Sequence, residues 1–165
     1  MIKDLVYYNN PLLRKRCKKV EKIDDDVRRI VQDLKDSVGH YKGAGLAAPQ
    51  IGYLVRAFVI CFDHEEEADG SAKMCPPKVF INPEITYQSA QECLLPEGCL
   101  SIPGLSEEVV RSKQITVKAL DLDGNEFEET VEGWCARVIL HEFDHLEGIL
   151  YIDKLSEEKR AGLAQ

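Results

Sequence analysis

Residues 133–148 read GWCARVILHEFDHLEG. Gly133 and Gly148 bracket the stretch, and Trp134, Val138, His141 and His145 recur at intervals of three and four, so the spacing predicts one helix that Gly148 ends. Side chains four apart lie on one helical face. His141 and His145 therefore point the same way, a turn apart, and can occupy two corners of a tetrahedral metal site. Glu142, beside the first histidine, can reach a water held there. An exposed helix that happens to carry two histidines is the plainer alternative, but His is scarce, with 4 in 165 residues.

A catalytic site of this kind takes a third protein ligand. Glu147 is too close along the helix to share the ion, and Glu157 and Glu158 sit in a polar tail. His40 lies at a helix end and His64 in an acidic segment, with no partner pattern. Cys99 is the better candidate. It sits in Glu97-Gly98-Cys99-Leu100-Ser101 between Pro96 and Pro103. A thiolate binds divalent metals well, and a neighbouring glycine lets the backbone approach closely. Taken alone, a buried structural cysteine is the commoner reading; taken with the helix, Cys99 becomes a ligand. The other cysteines, 17, 61, 75, 93 and 135, form no CxxC pair and read as reduced, small apolar residues.

Working outward, Asp24 to Tyr41 reads as an amphipathic helix, with Val27, Ile30, Val31, Leu34, Val38 and Tyr41 on one face and acidic residues at its start. Gly39 and Gly43 then loosen the chain. Gly43–Gly52 is glycine- and alanine-rich, and Val55–Phe62 reads as a buried strand. His64–Pro77 reads as an exposed acidic loop, Lys78–Asn82 as a short strand stopped by Pro83, and Val109-Val110 as the start of another. Gln114–Asp121 alternates as a strand, Asp123-Gly124 marks a hairpin turn, and Asn125–Val131 returns. Strands grouped in the middle with helices on either side predict an α+β fold rather than a wound parallel sheet.

The composition narrows the function classes. The chain has 165 residues, 44% hydrophobic and 30% charged, which suits a single domain with a core. With 21 Lys and Arg against 29 Asp and Glu, the formal charge is -8. That balance predicts no direct nucleic-acid binding, since phosphate contacts need clustered cations. The short basic stretch Arg14–Lys19 reads as a solvated segment. No secretory signal and no membrane span are expected, so the expected location is the cytoplasm.

Three motifs, GAGLAAPQ (Gly43–Gln50), EGCLS (Glu97–Ser101) and HEFDH (His141–His145), resemble the signatures of peptide deformylases, in the same order and with similar spacing. The similarity runs from the N-terminal helix to Asp153. It implies antiparallel sheets packed around a central metal-binding helix, in one catalytic domain over residues 1–165 with a short polar C-terminal tail. It also implies hydrolysis of the N-formyl group from formyl-methionine at the start of newly made proteins, with release of formate. Cys99, His141 and His145 would bind the ion, and Glu142 would take the proton of the attacking water and deliver it to the departing nitrogen. Gln50 and the backbone N–H of Leu100 would hold the oxyanion.

By the same resemblance, Gly45 pairs with the substrate backbone. Ala44, Leu95, Trp134, Arg137 and Val138 line the methionine slot, with the Arg137 stem as a wall and its guanidinium reaching water. Glu97 belongs with this substrate-side group and, with Arg111 and Asp144, also supports the ligands; Arg111 pairs with one or both acids. The expected ion is Fe²⁺, replaceable by Zn²⁺, Ni²⁺ or Co²⁺. The partners are formyl-methionyl nascent peptides. A transient ribosome association follows from where those emerge, although the tail with Glu157 and Glu158 lacks the basic helix by which some members dock. Two alternatives stand beside this reading. A zinc endopeptidase shares the histidine motif but would use a downstream ligand. A metal-stapled binding module would use four protein ligands.

Overall fold

The computed structural model describes residues 1–66, 68 and 72–163. Among them the order is α1 (Asp25–Tyr41), β1 (Gly45–Ala47), β2 (Ala57–Glu66), β3 (Ala72–Gln88), β4 (Glu92–Cys99), β5 (Ile102–Ser112), β6 (Gln114–Leu120), β7 (Glu126–Glu132), α2 (Gly133–Leu146) and α3 (Glu157–Leu163). Five strands form one antiparallel sheet in the order β1-β2-β3-β6-β7, and β4 and β5 form a separate ribbon. This is the expected α+β architecture, with α2 packed on the large sheet and in contact with the ribbon.

Helix α1 starts where Asp24 accepts the N–H of Val27 at 3.0 Å, with Asp25 and Asp26 in the first turn. Its buried face, Val27, Val31, Leu34 and Val38, packs on Val59, Val79 and Ile81. Gly39 lies inside the helix instead of loosening it; the chain leaves at Lys42, in the left-handed conformation with φ 56°. On the other face of the sheet, Phe58, Ile60, Phe80, Ile115 and Val117 meet Ala136, Ile139, Leu140 and Leu146 of α2. Residues 57–61 therefore form an unbroken apolar run because β2 is covered on both sides. A third cluster, Ile102 and Val109 with Leu13, Leu150, Tyr151 and Leu155, seats the ribbon.

Three further expectations change. Residues 64–77 do not form one loop: β2 runs to Glu66 and β3 starts at Ala72, with Phe62 opposite Met74; residues 67 and 69–71 lie outside the described set. Pro83 does not stop its strand. The register shifts between Ile81 and Glu84, with Asn82 at φ 50°, so the proline sits in a bulge that asks no ladder hydrogen bond of it. The ribbon is almost wholly new, since Pro96, Gly98, Pro103 and Gly104 hide its strands behind turn-forming residues. The polar tail is helical over Glu157–Leu163, and residues 164–165 lie outside the described set.

Candidate metal centre

Helix α2 carries His141, Glu142 and His145 inward, and the end of the ribbon brings Cys99 to them. The ligand atoms of Cys99, His141 and His145 all lie within 4.8 Å of one another, with Cys99 Sγ 3.5 Å from His145 Nε2. Cys99 closes β4 at a register shift, pairing with Ile102 across a tight turn, and this turns the sulfur toward the helix.

His141 is oriented from behind. Its Nδ1 lies 2.8 Å from Glu97 Oε1, which leaves Nε2 for an ion. Glu97 is held in turn by Arg111, through Nε at 2.5 Å and Nη2 at 2.9 Å, and Arg111 Nη1 donates to Asp144 at 2.8 Å. Arg111 thus pairs with both acids. Burial alone would raise the Glu97 pKa, but hydrogen bonds from His141 and Arg111 outweigh it and hold the carboxyl at about 2. Burial opposes charge on His141 too, yet its bonds to Cys99 and Glu97 lift it to about 10. Burial and the neighbouring His141 push His145 well below its usual value.

Glu142 is 2% exposed, and its Oε2 is buried with no hydrogen-bond partner. Burial pushes its pKa up to about 7. Gln50, on the 3-10 turn Ala48–Ile51, is locked by the N–H of Ala47 onto its Oε1 at 2.9 Å. Its Nε2 donates to Ser101 Oγ at 3.1 Å and lies 3.5 Å from Cys99 Sγ.

These groups stand at the head of a cavity of about 750 Å³, lined by Ala44, Gly45, Gln50, Glu97, Cys99, Leu100, Trp134, Arg137, Val138, His141 and Glu142. Leu95 is not among its lining residues, although it shares the inward face of β4 with Glu97 and Cys99; its carbonyl lies 3.5 Å from Arg137 Nη1. The Arg137 guanidinium does not reach water. It is 2% exposed and donates to Glu97 Oε2 at 2.5 Å and to the carbonyls of Val109 and Cys93, each at 2.9 Å. The acid and carbonyls under the ribbon hold it more strongly than solvent a full side-chain length away. Glu97 lines the cavity with both oxygens already engaged.

Residues outside the sequence reading also contribute. Phe62, Pro96 and Pro103 line the cavity, fully buried Ser101 receives Gln50, and the Tyr151 ring lies 5.8 Å from that of His141. Ser101 inside EGCLS and the flanking Pro96 and Pro103 are marked by that motif, without a role; nothing in the sequence points to Phe62 or Tyr151.

A thiolate and two imidazoles suit a divalent ion of intermediate softness. Among the described residues the group has three members, one short of a closed structural site, and a partnerless carboxylate oxygen waits beside it. The donor set therefore fits a metal with a position open to reactants, the arrangement of a metal-dependent hydrolase.

The polypeptide deformylase family model matches residues 2–161, and the chain belongs to that family. A peptide deformylase of Thermomicrobium roseum is 44% identical over 94% of this chain and 87% of its own. The peptide deformylase of Ehrlichia chaffeensis in complex with actinonin superposes with a TM-score of 0.89 at 36% identity, covering 98% of this chain and 92% of that one. A Met-Ala-Ser-bound class I type b peptide deformylase from Acinetobacter baumannii gives 0.86 at 27% identity, covering 94% and 99%. The chain is accordingly a hydrolase that removes the N-formyl group from formyl-methionyl peptides. The matches lend no support to the endopeptidase alternative. Among the described residues no helix is long and apolar enough to cross a membrane.

Proposed function

We propose that Cys99, His141 and His145 hold one divalent ion, Fe²⁺ in the cell, and that Glu142 moves the proton in deformylation. When bound, the ion supplies a Lewis acid that polarises the formyl carbonyl and lowers the pKa of water. Glu142 Oε2 accepts the proton from the attacking water and returns it to the methionine nitrogen as the C–N bond breaks. The observation that carries this role is that Oε2: buried, without a partner, beside Gly45 and the ligand set. A group near pH 7 is suited to both halves of that transfer, and burial pushes Glu142 there.

Gln50 is the side-chain donor for the developing oxyanion, with the Leu100 N–H as its partner; fixed donors of this kind stabilise charge only where it forms. The Ala47 lock on Oε1 keeps the NH₂ end facing Cys99. Ala44, Leu95, Trp134, Val138 and the Arg137 stem form the methionine slot. The free edge of β1 at Gly45 receives the substrate backbone, and main-chain pairing lets many sequences follow the methionine. Glu97, Arg111 and Asp144 act through the ligands. Fe²⁺ on a thiolate would make Cys99 sensitive to peroxide. We place the enzyme in the cytoplasm, a single domain acting on nascent chains in transient contact with the ribosome.

The test is a pair of assays on anaerobically purified protein with metal analysis. Formate release from formyl-Met-Ala-Ser, with casein left intact, is the expected result. Cleavage of casein with no formate released would overturn the proposal.

A further inference from the structure

Arg137 stands one helical turn before His141 on α2, and the two side chains grip opposite oxygens of one carboxylate. Arg137 Nη1 donates to Glu97 Oε2 at 2.5 Å, while His141 Nδ1 lies 2.8 Å from Oε1. The same guanidinium donates to the carbonyls of Cys93 on β4 and Val109 on β5, each at 2.9 Å. One fork therefore reaches both strands of the ribbon.

Packing alone does not account for this residue. An apolar side chain would fill the space, and burying a guanidinium costs desolvation that its hydrogen bonds must offset; Nη1 and Nη2 are engaged, while Nε is buried with no partner. The ribbon needs fixing from outside, because two strands are marginal by themselves, and this pair carries Cys99 and a wall of the cavity. Arg111 cannot supply that alone. It belongs to the ribbon, so its two bonds to Glu97 stay within the ribbon, and its bond to Asp144 is its one crossing to α2. Arg137 comes from the helix side and crosses to Glu97 on β4 and to carbonyls on both strands.

We propose that Arg137 is a positioning residue: its fork ties β4 and β5 to α2 and holds Glu97 on His141, so that Cys99 meets the two histidines at ligand distance. The proposal rests on the metal-centre reading above. It separates Arg137 from a residue that merely walls the methionine slot, because a wall residue would alter KM and leave the ion untouched.

The experiment strips the full chain of metal and titrates it with Co²⁺, following affinity and the thiolate-to-Co²⁺ charge-transfer band. KM and kcat on formyl-Met-Ala-Ser are then read at saturating Co²⁺. Arg137→Met removes every donor, and Arg137→Lys keeps the charge without the fork. Arg56→Met is the control: that arginine bonds the Leu146 carbonyl and Glu147 at the C-terminal end of α2, and neither bond involves Glu97 or the ribbon.

Arg137→Met is expected to bind Co²⁺ roughly 10- to 100-fold more weakly, with an altered band and a KM raised more than kcat is lowered. Arg137→Lys should fall between it and the parent, and carries the same readings if Arg137→Met does not fold. Arg56→Met should keep the parent affinity and band at a similar loss of Tm. Parent-like Co²⁺ affinity and band in both Arg137 variants, or an equal loss in Arg56→Met, would overturn the proposal alone. A parent protein that binds no Co²⁺ through Cys99 would remove the metal centre as well.

Discussion

A Cβ on Gly45 would stand 3.0 Å from Cγ and 3.1 Å from Oε2 of Glu142, with the Val59 carbonyl 3.1 Å away. Strand β1 can lie this close to the buried carboxylate because position 45 has no side chain. Backbone on one side cannot give way, so Gly45→Ala must push Glu142. The carboxylate must give by a few tenths of an ångström, less than the misplacement of about 1 Å that can cost on the order of 100-fold in rate. We expect kcat to fall by roughly 3- to 10-fold with metal content unchanged. Steady-state kinetics with parallel metal analysis checks this, and a parent-like kcat would show that the carboxylate tolerates the shift.

Glu142→Gln keeps the shape of the side chain and removes its ability to hold a proton. Since Glu142 is not among the three grouped ligands, the variant should retain one equivalent of metal. Formate release should drop by roughly 100- to 10,000-fold, the usual weight of a general acid–base group. Turnover within a few-fold of the parent would assign the proton transfer elsewhere.

Cys99→Ser should lose metal or bind it far more weakly, because a neutral hydroxyl replaces a thiolate. Cys61→Ser, on β2 and buried in the α1-side core, should keep it. Metal analysis of the two purified variants decides the matter: equal loss in both would mean that the wrong thiol has been named.

Removing the ion should abolish activity without unfolding the chain, since three apolar clusters hold the elements independently of the centre. Binding to the folded state alone stabilises by about 2.7 kcal/mol at one hundred times Kd. For a domain of this size that raises Tm by roughly 5–10 °C. Thermal melts of stripped and Co²⁺-loaded protein measure the difference, and coincident melts would argue against a site formed only in the folded state.

Local physics made much of this protein readable in advance. The α1 stripe and its acidic start, the β6–β7 hairpin at Asp123-Gly124 and the extent of α2 depend on neighbours within a few residues, and each stands where its pattern puts it. The i, i+4 placement of His141 and His145 is of the same kind. The choice of Cys99 drew on elimination and on family resemblance, because no local rule joins residue 99 to residue 141.

What lay beyond the sequence depends on contacts between distant segments. Glu97 gathers Arg111, Arg137 and His141 from 14, 40 and 44 positions away, and no periodicity encodes that meeting. Arg137 read as a side chain reaching water because long cations on helices usually do so; the ribbon folded over it and offered carbonyls and a carboxylate instead. Pro83 read as a stop because a bulge exists only where a partner strand shifts register. The sequence by itself determined α1 and α2, one hairpin and the chemical types of the donors, through propensity and periodicity acting over a few residues. Tertiary structure alone decided which donors meet, which charges are buried and which strand edge stays open, because those depend on packing chain segments far apart in sequence.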